Sequence, residues 1–150
     1  MNECENCKLL KENKELIFET KYWKIILADN QYYLGRCYIA LKRHALSLSE
    51  LTKEEISDFL EVVKKIENSI KKAFKADMFN WSCLMNNAYK EEIPNPHVHW
   101  HFCPRYKNKV EFQEVIFEDK EFAHHYDNKK ELFISQDIRK EIIAKIKENI

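Results

Sequence analysis

The chain has 150 residues, of which 45% are hydrophobic and 13% aromatic, enough to form one domain with a real core. Its 25 basic and 25 acidic residues balance, which argues against a nucleic-acid polymer or an anionic membrane as partner. No segment has the roughly 18 apolar residues of a membrane helix, and the first ten residues lack a secretory signal pattern. We therefore expect a soluble, cytoplasmic protein. The single glycine, Gly35, excludes glycine-rich nucleotide-binding loops, and no organic cofactor is expected.

The N-terminus carries a Cys-x-x-Cys motif formed by Cys4 and Cys7. Such a pair is a redox couple, half of a structural zinc site, or two free thiols at a loose terminus, and the missing βαβ pattern disfavours redox chemistry. A closed zinc site would need two more ligands. The other cysteines lie singly in apolar stretches and are interpreted as small buried residues: Cys37, Cys83 and Cys103.

Residues 16–28 are rich in β-branched and aromatic side chains and predict two strands joined by a turn near residues 19–21. Asp29 and Asn30 follow the second strand, where local backbone hydrogen bonds would also explain them. The next predicted strand runs from Arg36 to Leu41 and is followed by His44.

A long helix is predicted to begin at Thr52, which forms a capping box with Glu55. Apolar residues recur at three- and four-residue intervals as far as Lys75, which is typical of one amphipathic helix. A strand over residues 79–85 is predicted next, and Asn86 comes directly after it.

His97, His99 and His101 alternate with Val98 and Trp100. Side chains at period two share one face of a strand, so we expect a row of three imidazoles spaced roughly 6.6 Å apart. Three buried imidazoles would each need a partner, which favours a functional site over a plain core. Two chemistries fit: the three rings bind a catalytic metal, or one neutral imidazole acts as a nucleophile.

The last 42 residues, 109–150, differ in composition from the preceding part. A C-terminal helix is predicted after Ser135 as N-cap, with an apolar face that includes Ile142 and Ile146. His124 and His125 are adjacent and receive no assignment. We expect residues 109–150 to be an extension packed on the domain formed by residues 1–108.

The segment from His97 to Cys103, followed by Pro104-Arg105, resembles the signature of the histidine triad family of nucleotide hydrolases and transferases. Gly35 to His44 resembles the strand that this family writes Gly-His-apolar-Leu-Val-apolar-Pro-Lys-x-His, with Arg36 in place of the histidine. The resemblance covers roughly residues 4–106. It implies an α+β fold with an antiparallel sheet of about five strands, one long helix and a C-terminal helix, paired as a homodimer.

The resemblance also implies a reaction. His99 would attack the α-phosphorus of an AMP-containing substrate, with dinucleoside polyphosphates favoured and phosphoramidates next, and form a nucleotidyl-histidine. His101 and Asn86 would bind phosphate oxygens, and Asp29 or Asn30 would bind the ribose. Asn95 stands near the position where many members carry a phosphate-binding amide and hydroxyl, but here the run is Ile93-Pro94-Asn95-Pro96.

Members of this family that begin with Cys-x-x-Cys complete a structural zinc site with two histidines. The ligand set that the resemblance implies here is Cys4, Cys7, His44 and His97. Two other functions remain open. One is a metal-dependent hydrolase that uses the three histidines as ligands, and the other is a regulatory nucleotide-binding module with little turnover.

Overall fold

The computed structural model describes residues 4–150 as a central antiparallel sheet covered by helices. The helices are α1 (Glu5–Glu12), α2 (Lys53–Phe74) and α3 (Gln136–Lys147). Short 3₁₀ turns cover Leu48–Glu50 and Asn86–Lys90. The strands are β1 (Leu16–Glu19), β2 (Trp23–Leu27), β3 (Cys37–Leu41), β4 (Met78–Ser82), β5 (His99–Arg105), β6 (Val110–Phe112) and β7 (Val115–Phe117).

The main sheet has five antiparallel strands in the order β1-β2-β3-β5-β4, and β6 and β7 form a separate hairpin. The expected α+β fold, with its five-stranded sheet, long helix and C-terminal helix, is confirmed. The register places Ala40 opposite His99 and Tyr38 opposite His101, while Ser82 faces His101 from the other side. The histidine strand is thus internal, flanked by β3 and β4.

One face of the sheet is the apolar core. Alternate residues of β5, Trp100 and Phe102, point to this face, where Phe102 is fully buried. The face is covered by α2, with Val62 and Ile66 buried, and by α3, which adds Ile142 and Ile146 to the same core, with the further members Trp23, Ile25, Leu27, Ile39, Leu41 and Ile70. The opposite face of β5 is left for the histidines.

The long helix begins and ends where its sequence predicts. The Thr52 hydroxyl accepts a hydrogen bond from the backbone N–H of Glu55, and the Glu55 carboxylate accepts one from the Thr52 N–H. The helix closes at Lys75, which adopts a left-handed conformation with φ 62°. No helix in residues 4–150 is long and apolar enough to span a bilayer.

Several local details differ from the predicted elements. The helix α1 was not predicted, because eight residues are too few to establish a helical period. β3 begins at Cys37, one residue after the predicted start at Arg36. β4 ends at Ser82 rather than Met85, since the chain then enters the 3₁₀ turn at Asn86. β5 begins at His99 rather than at His97. The backbone at Val98 instead bonds Ala45 and Leu41.

Candidate functional site

The site lies on the face of β5 that does not contact α2. Alternation along β5 puts His99, His101, Cys103 and Arg105 on this face. The N-terminal helix α1 packs at one end, where Leu10 meets Ile26 and Ala40. The segment that follows β7 packs at the other end, around Cys103 and Arg105.

His99 has one ring nitrogen fixed and one free to react. Its Nδ1 lies 2.8 Å from the backbone oxygen of His97, so Nδ1 is assigned as the N–H donor. In the neutral ring Nε2 then carries the lone pair. This nitrogen lies 3.2 Å from Nε2 of His101. The backbone contact thus fixes the ring orientation and the tautomer, with Nε2 in the position of a nucleophile.

His101 is the adjacent imidazole and remains neutral at pH 7. Its pKa is lowered to about 4, mainly by burial, and the nearby His99 and the Arg36 charge act in the same direction while the Leu84 hydrogen bond acts against them. Its Nε2 lies 3.3 Å from the Leu84 carbonyl, and the Tyr38 ring packs edge-on at 5.1 Å. Its Nδ1 is buried and makes no hydrogen bond to any residue of 4–150.

His97 belongs to a different cluster. Its Nδ1 lies 3.3 Å from Sγ of Cys4, 3.3 Å from Sγ of Cys7 and 3.3 Å from Nδ1 of His44. The Nδ1 of His44 lies 3.4 Å from each sulfur. The four ligand atoms lie within 4.8 Å of one another, which brings together the predicted zinc ligands. His99 and His101 are not in this group.

The cluster fits a tetrahedral zinc ion. Zn–S and Zn–N bonds of ordinary length give ligand-to-ligand distances of roughly 3.3–3.6 Å, which match those between the histidine nitrogens and sulfurs. His97 Nε2 donates to the backbone oxygen of Leu41 at 2.7 Å, which leaves Nδ1 unprotonated for a metal. Burial also lowers the pKa of His97, and this keeps the ring neutral. Four protein ligands leave no open position, as in structural sites.

The same cluster brings the N-terminal helix to the histidines. Cys4 is the N-cap of α1, and its sulfur accepts a hydrogen bond from the Cys7 N–H at 3.2 Å. Asn6, between the two cysteines, places its amide nitrogen 3.3 Å from Nδ1 of His99. Asn6 was missed from the sequence, because its approach to His99 depends on how the cluster orients α1.

The predicted substrate residues fall in different environments. Asn86 is exposed at the start of the turn that follows β4, two residues after the Leu84 carbonyl beside His101. Asn95 is half-buried in the loop before His97. Asp29 has an exposed carboxylate at the end of β2, 3.2 Å from Nη2 of Arg139.

Asn30 is tied to the C-terminal extension. Its amide nitrogen donates to the Lys130 carbonyl at 2.8 Å, and its oxygen accepts from the backbone N–H groups of Tyr32 and Leu132 at 3.0 Å each. These bonds indicate a structural role for Asn30. They leave Asp29 as the more accessible of the two residues considered for the ribose.

Of the single cysteines, Cys37 and Cys103 are buried as expected, whereas Cys83 is half-buried just after β4. Burial raises the pKa of Cys103 to about 12, and it raises the pKa values of Cys37 and Cys83 as well. The thiolate form is therefore scarce at neutral pH, and nucleophilic chemistry at Cys103 is disfavoured.

Comparisons with known proteins agree on one family. The model described as HIT domain matches residues 10–108. The adenosine 5′-monophosphoramidase of Saccharomyces cerevisiae is 29% identical over 108 residues, which cover 71% of this chain and 65% of the yeast protein. The chain thus spans slightly less than two thirds of that relative.

Solved structures share the fold. A hypothetical histidine triad nucleotide-binding protein of Sulfolobus tokodaii has a TM-score of 0.72 at 18% identity, with 97% of this chain and 91% of that chain covered. A zinc-bound histidine triad family protein of Mycobacterium smegmatis has a TM-score of 0.63 at 16% identity, with 97% and 94% covered.

Proposed function

The chain belongs to the HIT domain family, and on that premise we propose that it is a nucleotide hydrolase or nucleotidyl transferase that cleaves an AMP-containing substrate at the α-phosphate. One observation carries the proposal: the His97 carbonyl, 2.8 Å from Nδ1, fixes the His99 ring with Nε2 turned toward His101, and His99 is separate from the metal-binding group. A neutral imidazole is a competent nucleophile at pH 7 without a general base.

The mechanism has two in-line steps. His99 Nε2 attacks the α-phosphorus and the leaving group departs from the opposite side, which gives nucleotidyl-His99. His101, neutral and adjacent at 3.2 Å, donates a hydrogen bond to a phosphoryl oxygen as charge accumulates there. Water then attacks phosphorus and displaces His99, so that the nucleoside monophosphate is released with net retention of configuration. Phosphate or another acceptor in place of water would make the reaction a transfer.

The remaining predicted residues are assigned to parts of the substrate. Asn86 follows the Leu84 carbonyl that contacts His101, and we assign it to the phosphate oxygens. Asp29 is assigned to the ribose hydroxyls, and Asn30 supports the loop that carries it. Asn95, in the loop before His97, is assigned to the phosphate oxygens. Similarity to the yeast monophosphoramidase supports AMP-containing substrates, either phosphoramidates or dinucleoside polyphosphates.

In this proposal zinc has a structural rather than a catalytic role. Cys4, Cys7, His44 and His97 would hold the ion, which when bound cross-links the N-terminal helix to the sheet. The alternative in which the three histidines share a catalytic metal is disfavoured. Both ring nitrogens of His97 are already engaged, Nδ1 with the cysteine cluster and Nε2 with the Leu41 carbonyl.

We also assign residues 1–108 and the extension 109–150 to one domain, since α3 packs into the main core. We propose that the protein forms a homodimer. The outer edge of β4 and the exposed side chains of Ile56 and Leu60 on the neighbouring α2 support an interface on that side.

Trapping of the intermediate tests the nucleophile. The protein is mixed with dinucleoside polyphosphate or AMP phosphoramidate, quenched in base, and analysed by peptide mass spectrometry. A phosphoramidate bond to histidine is stable in base and labile in acid, so the AMP adduct should appear on the peptide that contains His99. His99→Ala should lose the adduct and all turnover, while His124→Ala, on an exposed residue, should retain both.

A wild-type protein that turns over substrate but labels no histidine would overturn the covalent mechanism. Binding of AMP without any turnover or adduct would instead favour the regulatory module.

A further inference from the structure

Resting on the proposed function, we propose that Arg36 forms with His101 a subsite for a phosphoryl oxyanion of the substrate, and that Tyr126 of the C-terminal extension covers this subsite. Tyr126 lies outside residues 10–108, which match the family model. The subsite is therefore built jointly by the residue that precedes β3 and by a segment that the family match does not include.

Arg36 lies on the histidine face of the sheet. It directly precedes β3, and the hydrogen bond from the Ala28 N–H to the Arg36 oxygen at 2.9 Å continues the pairing of β2 and β3 to this residue. Arg36 is two residues before Tyr38, whose partner in the register is His101. Residues two apart on a strand share a face, and diagonal neighbours across two strands are roughly 7–8 Å apart at Cα. An arginine side chain spans that distance, and the Arg36 charge acts on both His101 and Cys103.

The positive charge of Arg36 is buried without a counter-ion. The residue is 7% exposed, and within residues 4–150 it makes no ion pair. Its Nη2 has one long contact of 3.5 Å to the Asn128 oxygen, and its Nε is buried and donates no hydrogen bond to the described residues. A buried charge without a partner is costly, so the environment favours an incoming anion.

The two other buried arginines, unlike Arg36, have carboxylate partners. Arg105 is paired with Asp119 at 2.6 Å, and Arg139 is paired with Glu15 at 3.3 Å and with Asp29 at 3.2 Å. Folding has thus supplied carboxylates for both of these guanidinium groups. Arg36 alone among the three is left for a ligand.

His101 provides the second donor through Nε2. Because Nε2 lies 3.3 Å from the Leu84 carbonyl, it carries the N–H of the neutral ring, and the buried Nδ1 carries the lone pair and does not attract an anion. A phosphoryl group bears several acceptor oxygens and so can accept from the guanidinium N–H groups while it also accepts from the Nε2–H of His101.

Tyr126 closes the subsite from above. It is 8% exposed, its ring lies 5.8 Å from the guanidinium carbon of Arg36, and its hydroxyl lies 3.1 Å from the Ser82 hydroxyl. Ser82 of β4 is opposite His101 in the register. Tyr126 therefore contacts Arg36 and Ser82, which lie on opposite sides of the strand that carries His101. This cover excludes water and strengthens the attraction between Arg36 and an anion.

Two phosphoryl groups could provide the oxyanion, the attacked α-phosphate or the phosphate next to it. Calorimetric titration of the zinc-loaded protein with adenosine, AMP and α,β-methylene-ADP separates them. Arg36→Gln should weaken α,β-methylene-ADP roughly 10- to 100-fold, the range for one hydrogen bond to a charged group, and leave adenosine unchanged. If AMP and the analogue weaken equally, the oxyanion is the α-phosphate. A larger loss for the analogue assigns the neighbouring phosphate.

Stability provides a readout that a structural role would not produce. Because Arg36 has no carboxylate partner, Arg36→Met should melt no lower than the wild type even though it loses nucleotide affinity. Arg36→Lys should recover part of the affinity. Lys64→Gln, on the exposed face of α2, changes the net charge equally and should bind as the wild type does.

Unchanged AMP and analogue binding in Arg36→Gln, or an equal loss for adenosine, would overturn the subsite, and so would a wild type that binds none of the three. Nucleotide binding that depends on Arg36 in a protein that never forms nucleotidyl-His99 would contradict only the proposed reaction.

Discussion

His97 and His99 are two residues apart on one face, yet their ring nitrogens have different partners. Nδ1 of His97 lies in the cysteine cluster, whereas Nδ1 of His99 bonds the backbone and leaves Nε2 exposed to a substrate. The difference arises because β5 begins only at His99, so His97 is oriented by its Leu41 contact rather than by the strand. One histidine is thereby suited to a metal and the next to covalent chemistry.

His101 should make the protein less stable in acid. Burial lowers its pKa from 6.5 to about 4 in the folded state, so between these values the unfolded chain binds a proton that the folded chain does not. Stability from this residue is therefore complete above pH 7 and falls as the pH drops. With partial exposure discounted, the loss between pH 7 and pH 5 should be about 1 kcal/mol.

Urea denaturation of the wild type and His101→Gln at both pH values measures this effect, because effects of the other histidines cancel in the difference. An equal loss for the two proteins would contradict the assigned direction.

The buried ion pair of Arg105 and Asp119 should be a major stabilising contact of the extension. Their side chains are 0% and 1% exposed, with Nε and Oδ2 2.6 Å apart. Asp119→Asn leaves a buried guanidinium without its counter-ion and should reduce the free energy of unfolding by about 3–5 kcal/mol. The exposed pair Lys109 and Glu118 provides the control, since Glu118→Gln should cost less than about 1 kcal/mol. Equal losses in denaturant titrations would contradict the prediction.

At the scale of elements, α1 is the one most dependent on the metal. A helix of eight residues is too short to be stable alone, and its single buried side chain is Leu10. Its other anchor is the cluster at its N-terminus. By contrast, α2 has 22 residues, a complete capping box and a row of buried apolar side chains, so it does not depend on zinc.

Removal of zinc should therefore release α1 and leave the sheet folded. After treatment with a chelator, hydrogen exchange of residues 5–12 should approach that of an unstructured peptide, while β5 and α2 stay protected. Cys7→Ser should reproduce the effect, and Cys83→Ser, outside the cluster, should not. Metal analysis should find one zinc per chain in the wild type. Unchanged protection of residues 5–12 after metal loss would contradict the tether.

At the scale of the whole molecule, the sequence predicted features that depend on local chemistry. The capping box at Thr52, the N-cap at Ser135 and the alternation around His99 all follow from neighbouring residues, and the structure contains each of them. The zinc ligands required a resemblance, because Cys4 and His97 are 93 residues apart. Contacts of the extension, such as Tyr126 on Arg36, carry no local signal and were not predicted.

The open edge of β4 and the adjacent side chains of α2 form the surface at which we expect the protein to dimerise. Within residues 4–150, β4 pairs only with β5 and leaves its other edge open. Next to it, Phe59 of α2 packs on Trp81, and Ile56 and Leu60 are 50% and 53% exposed. An open strand edge beside apolar side chains four residues apart on a helix favours self-association across both elements.

Leu60→Glu should convert the dimer to a monomer in light scattering at micromolar concentration, because it buries a charge in each copy of a symmetric interface. Ile116→Glu is the matched control, since that side chain is 62% exposed on β7 and lies beside Tyr32 and Leu132. It should leave the mass unchanged. A wild type that scatters as a monomer, or equal dissociation by both variants, would exclude the α2–β4 interface.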